Sequence, residues 1–253
     1  MITTNELIPG IYNDCDAWCE RCLFTNRCRS FQIQSKTGLV GPVSADGNVV
    51  QQLTEALNLT KQHIENLSNA NELAGQDAPT GLYIDKLEED VVADSGAGRT
   101  HPVSQWANDY LKQTGLWLTN ERNLLEQAAK EQLRQVELGL QTEEDAMPLL
   151  YALKDAWEII RWYRTLIPVK IQSVLRTLTD PTENSLLSTY YLGKAKLVLV
   201  SIDQSMLAWQ TVLQHYPEKM DDLLDMLSLL SRLRREIDGL FPQARAFKRP
   251  GLD

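Results

Sequence analysis

Apolar side chains recur every three or four residues along five stretches of the chain, the period of a helix face rather than of a strand. Over 49–69 the repeating positions are Leu53, Leu57, Ile64 and Leu67, with 46–48 as the start. Thr100-His101-Pro102 opens a second stretch, because proline suits the first position of a helix. Trp106, Tyr110, Trp117, Leu124 and Ala128 form its stripe, and the pattern runs on to about 140, where Gly139 loosens the end. Thr142 with Asp145 then forms a start resembling a capping box. The seam that follows has near-heptad spacing: Leu149, Leu153, Ala156, Ile160, Tyr163 or Arg164, Ile167, Ile171, Val174 and Leu178, with a kink expected at Pro168. Asp180-Pro181 interrupts it. Leu187, Tyr191, Val198, Ile202, Met206, Trp209 and Leu213 mark the fourth helix, which ends before Pro217. Met220, Leu223, Leu227, Leu230, Leu233, Ile237 and Leu240 stripe the fifth, which stops at Gly239-Leu-Phe-Pro242.

Long helices joined by short links pack side by side, so the expected fold is all-α: a bundle of about five long helices with an irregular, cysteine-rich N-terminal arm. The division expected is an arm over 1–46 and a bundle over 47–253. Residues 29–48, with Gly38, Gly41, Pro42 and Gly47, read as a connector with one short extended piece. Residues 72–100 carry seven acidic side chains against Lys86 and Arg99, and read as an acidic loop with at most a short helix at 82–91. Within it, Ser95-Gly-Ala-Gly98-Arg-Thr precedes a helix and resembles an anion cradle, although loop flexibility explains the glycines as well.

Composition changes this picture little. A hydrophobic fraction of 43% and a charged fraction of 23% suit a globular chain of 253 residues with its own core. The net charge of −9 disfavours nucleic acid as a partner, since phosphate neutralisation needs a cationic surface. The first residues lack a cationic start and an apolar run, and the greasiest stretch, 197–202, is far too short for a membrane. A soluble, cytoplasmic protein is expected, with a protein partner conceivable and the oligomeric state open.

The least random feature is the spacing of the cysteines. Cys15, Cys19, Cys22 and Cys28 read C-x3-C-x2-C-x5-C, and no cysteine occurs elsewhere. Disulfides need an oxidising compartment, for which no export signal argues. Four thiolates suit tetrahedral zinc, yet structural zinc sites usually pair two short C-x2-C knuckles across a longer spacer. Iron–sulfur clusters accept four thiolates from one irregular loop, so a 4Fe-4S cluster is favoured, with zinc the alternative. Trp18, Leu23 and Phe24 are placed to shield such a centre, and Arg21, Arg27 and Arg29 to offset its charge.

Cys19-x2-Cys22-x5-Cys28 resembles the end of the iron–sulfur loop in DNA glycosylases of the endonuclease III type, over about ten residues. The first three cysteines are similar in spacing to those of radical S-adenosylmethionine enzymes. That family's β/α barrel conflicts with the helical pattern, and Cys28 would close the iron that it leaves open.

Some charged residues fall within the apolar seams. Asp203 lies one turn from Leu199 and Leu207, where a carboxylate needs a partner, and Arg161 or Arg164 is the expected one. The sharper alternative is a pocket between helices lined by Trp157, Glu158, Arg161 and Asp203. Neither His63, His101 nor His215 completes a Glu-x-x-His motif, and no G-x-S-x-G, H-E-x-x-H or Walker sequence is present. Arg245, Lys248 and Arg249 make a short basic C-terminal tail, which with Arg232, Arg234 and Arg235 gives a local positive patch; it is expected to be solvated, with packing on the acidic loop or a partner as alternatives. The function expected first is a binding or regulatory module with the cysteine centre as structural anchor. The alternative is an iron–sulfur-dependent redox enzyme.

Overall fold

The structure, a computed structural model, describes residues 6–36, 101–179 and 185–253. Among these it contains six α-helices and no strand, so the fold is all-α. We name them α1 (Arg29–Lys36), α2 (Pro102–Asn120), α3 (Leu124–Glu137), α4 (Glu143–Thr179), α5 (Ser185–His215) and α6 (Met220–Leu240). The helix expected over 49–69, the acidic loop at 72–100, the anion cradle, the 46/47 boundary and the Asp180-Pro181 break lie outside the described residues. The chain forms two compact units: Met1–Ser95 with Pro250–Asp253, and Gly96–Arg249.

In the second unit the sequence signals set the helix starts. His101 takes an extended conformation as N-cap, its Nδ1 accepts the Val103 N–H at 3.2 Å, and Pro102 occupies the first turn. Thr142 caps α4: its hydroxyl oxygen accepts the Asp145 N–H at 3.2 Å and its O–H donates to the Asp145 carboxylate at 2.6 Å. Glu143, Glu144 and Asp145 then place negative charge against the positive end of the helix dipole. α4 continues through both Pro148 and Pro168.

The stretch expected to run unbroken from 102 to about 140 is two helices. It breaks at 121–123, between α2 and α3. The local sequence Thr119-Asn-Glu-Arg-Asn123 is poor in helix formers. The Thr119 hydroxyl bonds back to the Gly115 carbonyl at 2.9 Å, and Glu121 is held by Lys219 Nζ at 2.6 Å. A connector expected after Cys28 is instead α1, whose first turn is closed by the Gln32 N–H on the Cys28 carbonyl at 3.1 Å.

The bundle core is contributed by α2, α4, α5 and α6. Ile160, Ile167, Ile171 and Val174 of α4 are fully enclosed, as the seam implies, while Leu178 is exposed and Leu175 is buried in its place. On α5 the consecutive residues Leu197, Val198 and Leu199 are all buried, so this helix is covered on most sides and sits centrally. Four aromatic residues meet here. Trp117 stacks edge-on against Trp209 at 4.9 Å and lies 5.5 Å from Trp157. Trp209 Nε1–H donates to the Tyr110 hydroxyl at 3.2 Å.

Asp203 pairs with neither Arg161 nor Arg164. Its carboxylate takes Arg245 Nη1 at 2.7 Å and Arg234 Nη1 at 3.4 Å, while the Arg164 guanidinium lies over Gly115. The register of α5 turns Asp203 toward α6 and the segment after it. The tail is accordingly not simply solvated. Arg245 also bonds Asp238 through Nε and Nη2, its carbonyl accepts Lys196 Nζ at 2.7 Å, and Ala244 is buried. Arg232 stacks on Trp106 at 3.9 Å.

Candidate metal centre

The cysteines lie in the first unit on a chain of short 3-10 turns, Ile11–Asn13, Cys19–Arg21 and Thr25–Arg27. No regular helix can hold four thiols on one side within fourteen residues at this spacing; successive tight turns can. Cys22 N–H closes one turn on the Cys19 carbonyl at 3.3 Å, and Cys28 N–H closes another on the Thr25 carbonyl at 3.2 Å. The loop is tied at its base. Ile8 N–H donates to the Arg27 carbonyl and Arg27 Nε–H to the Glu6 carbonyl, both at 3.0 Å. Arg27 therefore acts as a tether of the loop.

All four cysteines are free thiols of intermediate burial. Burial pushes the Cys15 thiol up, and Asp16, Cys28 and Cys22 push it further, against the Ala17 amide, which lowers it. Burial likewise raises Cys19, joined by the charges of Cys15, Cys22, Cys28 and Asp16. The thiols thus feel one another across the loop. Among the described residues no three His, Cys, Asp or Glu side chains are grouped as a single metal ion would require.

Phe24 N–H donates to Cys22 Sγ at 3.4 Å. Near Cys15 the Ala17 amide favours the thiolate, and Ala17 has φ 57°, in the left-handed region that a side chain disfavours. An amide aimed at sulfur stabilises the thiolate over the thiol, and hydrogen bonds to ligand sulfurs are one of the means by which proteins tune iron–sulfur centres. In the thiol state Cys15 Sγ–H faces the Tyr12 carbonyl at 3.6 Å. Trp18 is buried and Arg21 stacks on it at 4.6 Å, whereas Leu23 is 91% exposed and shields nothing.

The other residues singled out from sequence lie in the second unit, on α4 and α5. Glu158 reaches Lys154 at 3.9 Å on the open face of α4. Arg161 is exposed, and among the described residues no ion pair joins it to Glu158 or Asp203. A groove of about 310 Å³ does exist in this unit, but it lies elsewhere, against Gln132, Leu149, Leu153, His215 and Tyr216. Periodicity gave no sign of it, because its lining combines the middle of α3, the first part of α4 and the end of α5.

Compared with known proteins, the chain matches no protein-family model, no curated protein and no solved structure.

Proposed function

We propose that Cys15, Cys19, Cys22 and Cys28 together bind a 4Fe-4S cluster that serves as the structural anchor of a cytoplasmic binding or regulatory protein. The observation that carries this reading is the cysteine loop itself: four free thiols on successive short turns, with the Phe24 N–H donating to Cys22 Sγ at 3.4 Å. A thiol gains little from accepting an N–H; a thiolate gains much.

The choice of a cluster over zinc rests on spacing. A single zinc draws its four sulfurs to bonds of about 2.3 Å each, whereas the corners of a cluster accept sulfurs standing further apart. The four cysteines here are strung along one irregular loop rather than paired as two C-x2-C knuckles across a longer spacer. The anchor role is read from the position of the ligands: among the described residues of 6–36 the buried apolar side chains are Ile11 and Trp18, both within the turns that carry the cysteines or next to them. Binding of the centre therefore contributes to folding of the arm. A reducing compartment keeps the thiols available, and the charge of −9 suits a protein partner better than a nucleic acid.

The test is removal of the centre. Chelation under anaerobic conditions should release the amides of 8–28 to hydrogen exchange and leave the helicity of 102–240 unchanged. An arm equally protected before and after chelation would overturn the anchor role.

A further inference from the structure

The segment Pro250–Asp253 belongs to the cysteine unit, although the residues just before it belong to the bundle unit. Gly251 is what allows this. It has φ +71°, and a Cβ built on it would stand 2.8 Å from Ile8 Cδ1, 3.0 Å from Ile8 Cγ2 and 3.6 Å from Ile11 Cδ1. Its backbone thus lies against Ile8, with Ile11, 2% exposed, at ordinary contact distance; a side chain there would displace the end of Ile8 and would strain the positive φ.

Those two isoleucines are coupled to opposite ends of the ligand loop. Ile8 N–H bonds the carbonyl of Arg27, the residue before Cys28. Ile11 begins the 3-10 turn Ile11–Asn13, whose Tyr12 carbonyl receives Cys15 Sγ–H. Contact with Gly251 therefore bears on the backbone next to both the first and the last cysteine. On the other side of the boundary, Ala244 is buried and Arg245 is clamped by Asp203 and Asp238.

We infer that Pro250–Asp253 is a latch on the metal centre, seated when the four cysteines are loaded and loosened when they are not. The inference rests on the metal reading given above. Seating orders Ile8 and Ile11 and so removes part of the entropy that gathering four thiolates must overcome. The linkage is reciprocal by thermodynamic necessity: whatever the latch adds to metal affinity, the metal adds to seating of the latch.

Two variants test it, Gly251→Ala and a chain ending at Arg249, each purified anaerobically beside the unaltered protein. Release of iron to a chelator should be about tenfold faster in both, the scale expected when a group supporting metal ligands is lost. In the unaltered protein, chelation should raise hydrogen exchange at the Leu252 amide. Both variants should retain the helicity of the bundle, since neither touches 102–240. Equal release rates in all three proteins would overturn the latch and leave the metal reading intact. An unaltered protein that binds neither iron nor zinc would end both.

Discussion

Arg245 Nη1 lies 2.7 Å from Asp203 Oδ2, and the same guanidinium reaches Asp238 at 2.9 Å, so one side chain joins the middle of α5 to the end of α6. The carboxylates hold the Arg245 charge firmly, raising its already high pKa further. All three side chains remain a third or more exposed, so solvent screens the pairs. Asp203→Asn should therefore cost only about 1 kcal/mol, a fall in Tm of roughly 2–4 °C. A double-mutant cycle with Arg245→Gln, read by thermal unfolding, should give a coupling between the two positions; strict additivity would mean that the contact contributes nothing.

The Tyr110 hydroxyl carries a larger share of stability because it is enclosed. Tyr110→Phe leaves Trp209 Nε1–H buried without its acceptor, which should cost about 1–3 kcal/mol in a denaturant titration. Burial raises the phenol above its usual value, against the Trp209 hydrogen bond, which lowers it. The folded state therefore holds this proton more tightly than the unfolded one. The contribution is fully present below about pH 10 and is lost as pH rises through the raised value. Bundle stability should fall in strong alkali, and more steeply than in Tyr110→Phe.

Core packing along α4 can be tested at Ile167, which is fully buried in the seam. Ile167→Ala should destabilise the protein by about 2–5 kcal/mol, measured as a fall in the denaturant midpoint at unchanged slope. The same change at the exposed Leu133 should be close to neutral.

The cysteine loop should respond to pH in opposite directions with and without its centre. Cys15 and Cys19 are raised, so without metal the folded arm retains thiol protons more tightly than the unfolded arm. That contribution is present below about pH 8.5 and is lost as pH rises through the raised values. Metal binding must displace those protons, so affinity should increase with pH, by about tenfold or more per unit near neutrality. Chelator competition at several pH values measures the second trend, and hydrogen exchange of the metal-free protein measures the first.

Helix identity was legible because the apolar seams are long: Ile160, Ile167 and Ile171 could face only a core. The break at 121–123 was not, because Trp117 and Leu124 stay in phase across it and the interruption depends on Glu121 meeting the distant Lys219. The partner of Asp203 was misassigned for a similar reason. Arg161 and Arg164 were sensible by chemistry, but the rotation of α5 about its axis decides which arginine arrives. The four cysteines stood out in the sequence alone. The amides behind Cys15 and Cys22 did not, since an alanine in a left-handed conformation has no sequence signature. Nor did Gly251, whose meaning depends on Ile8, more than two hundred residues away.

The most direct measurement is iron, acid-labile sulfide and zinc content per chain after anaerobic purification, with a visible absorption spectrum, for the unaltered protein and Cys19→Ala. The account predicts a coloured protein with four iron and four sulfide per chain, lost or strongly depleted in Cys19→Ala. A colourless protein with one zinc would contradict the cluster and keep a four-thiolate centre. A metal-free protein whose arm is as well protected as that of any loaded form would contradict the centre itself.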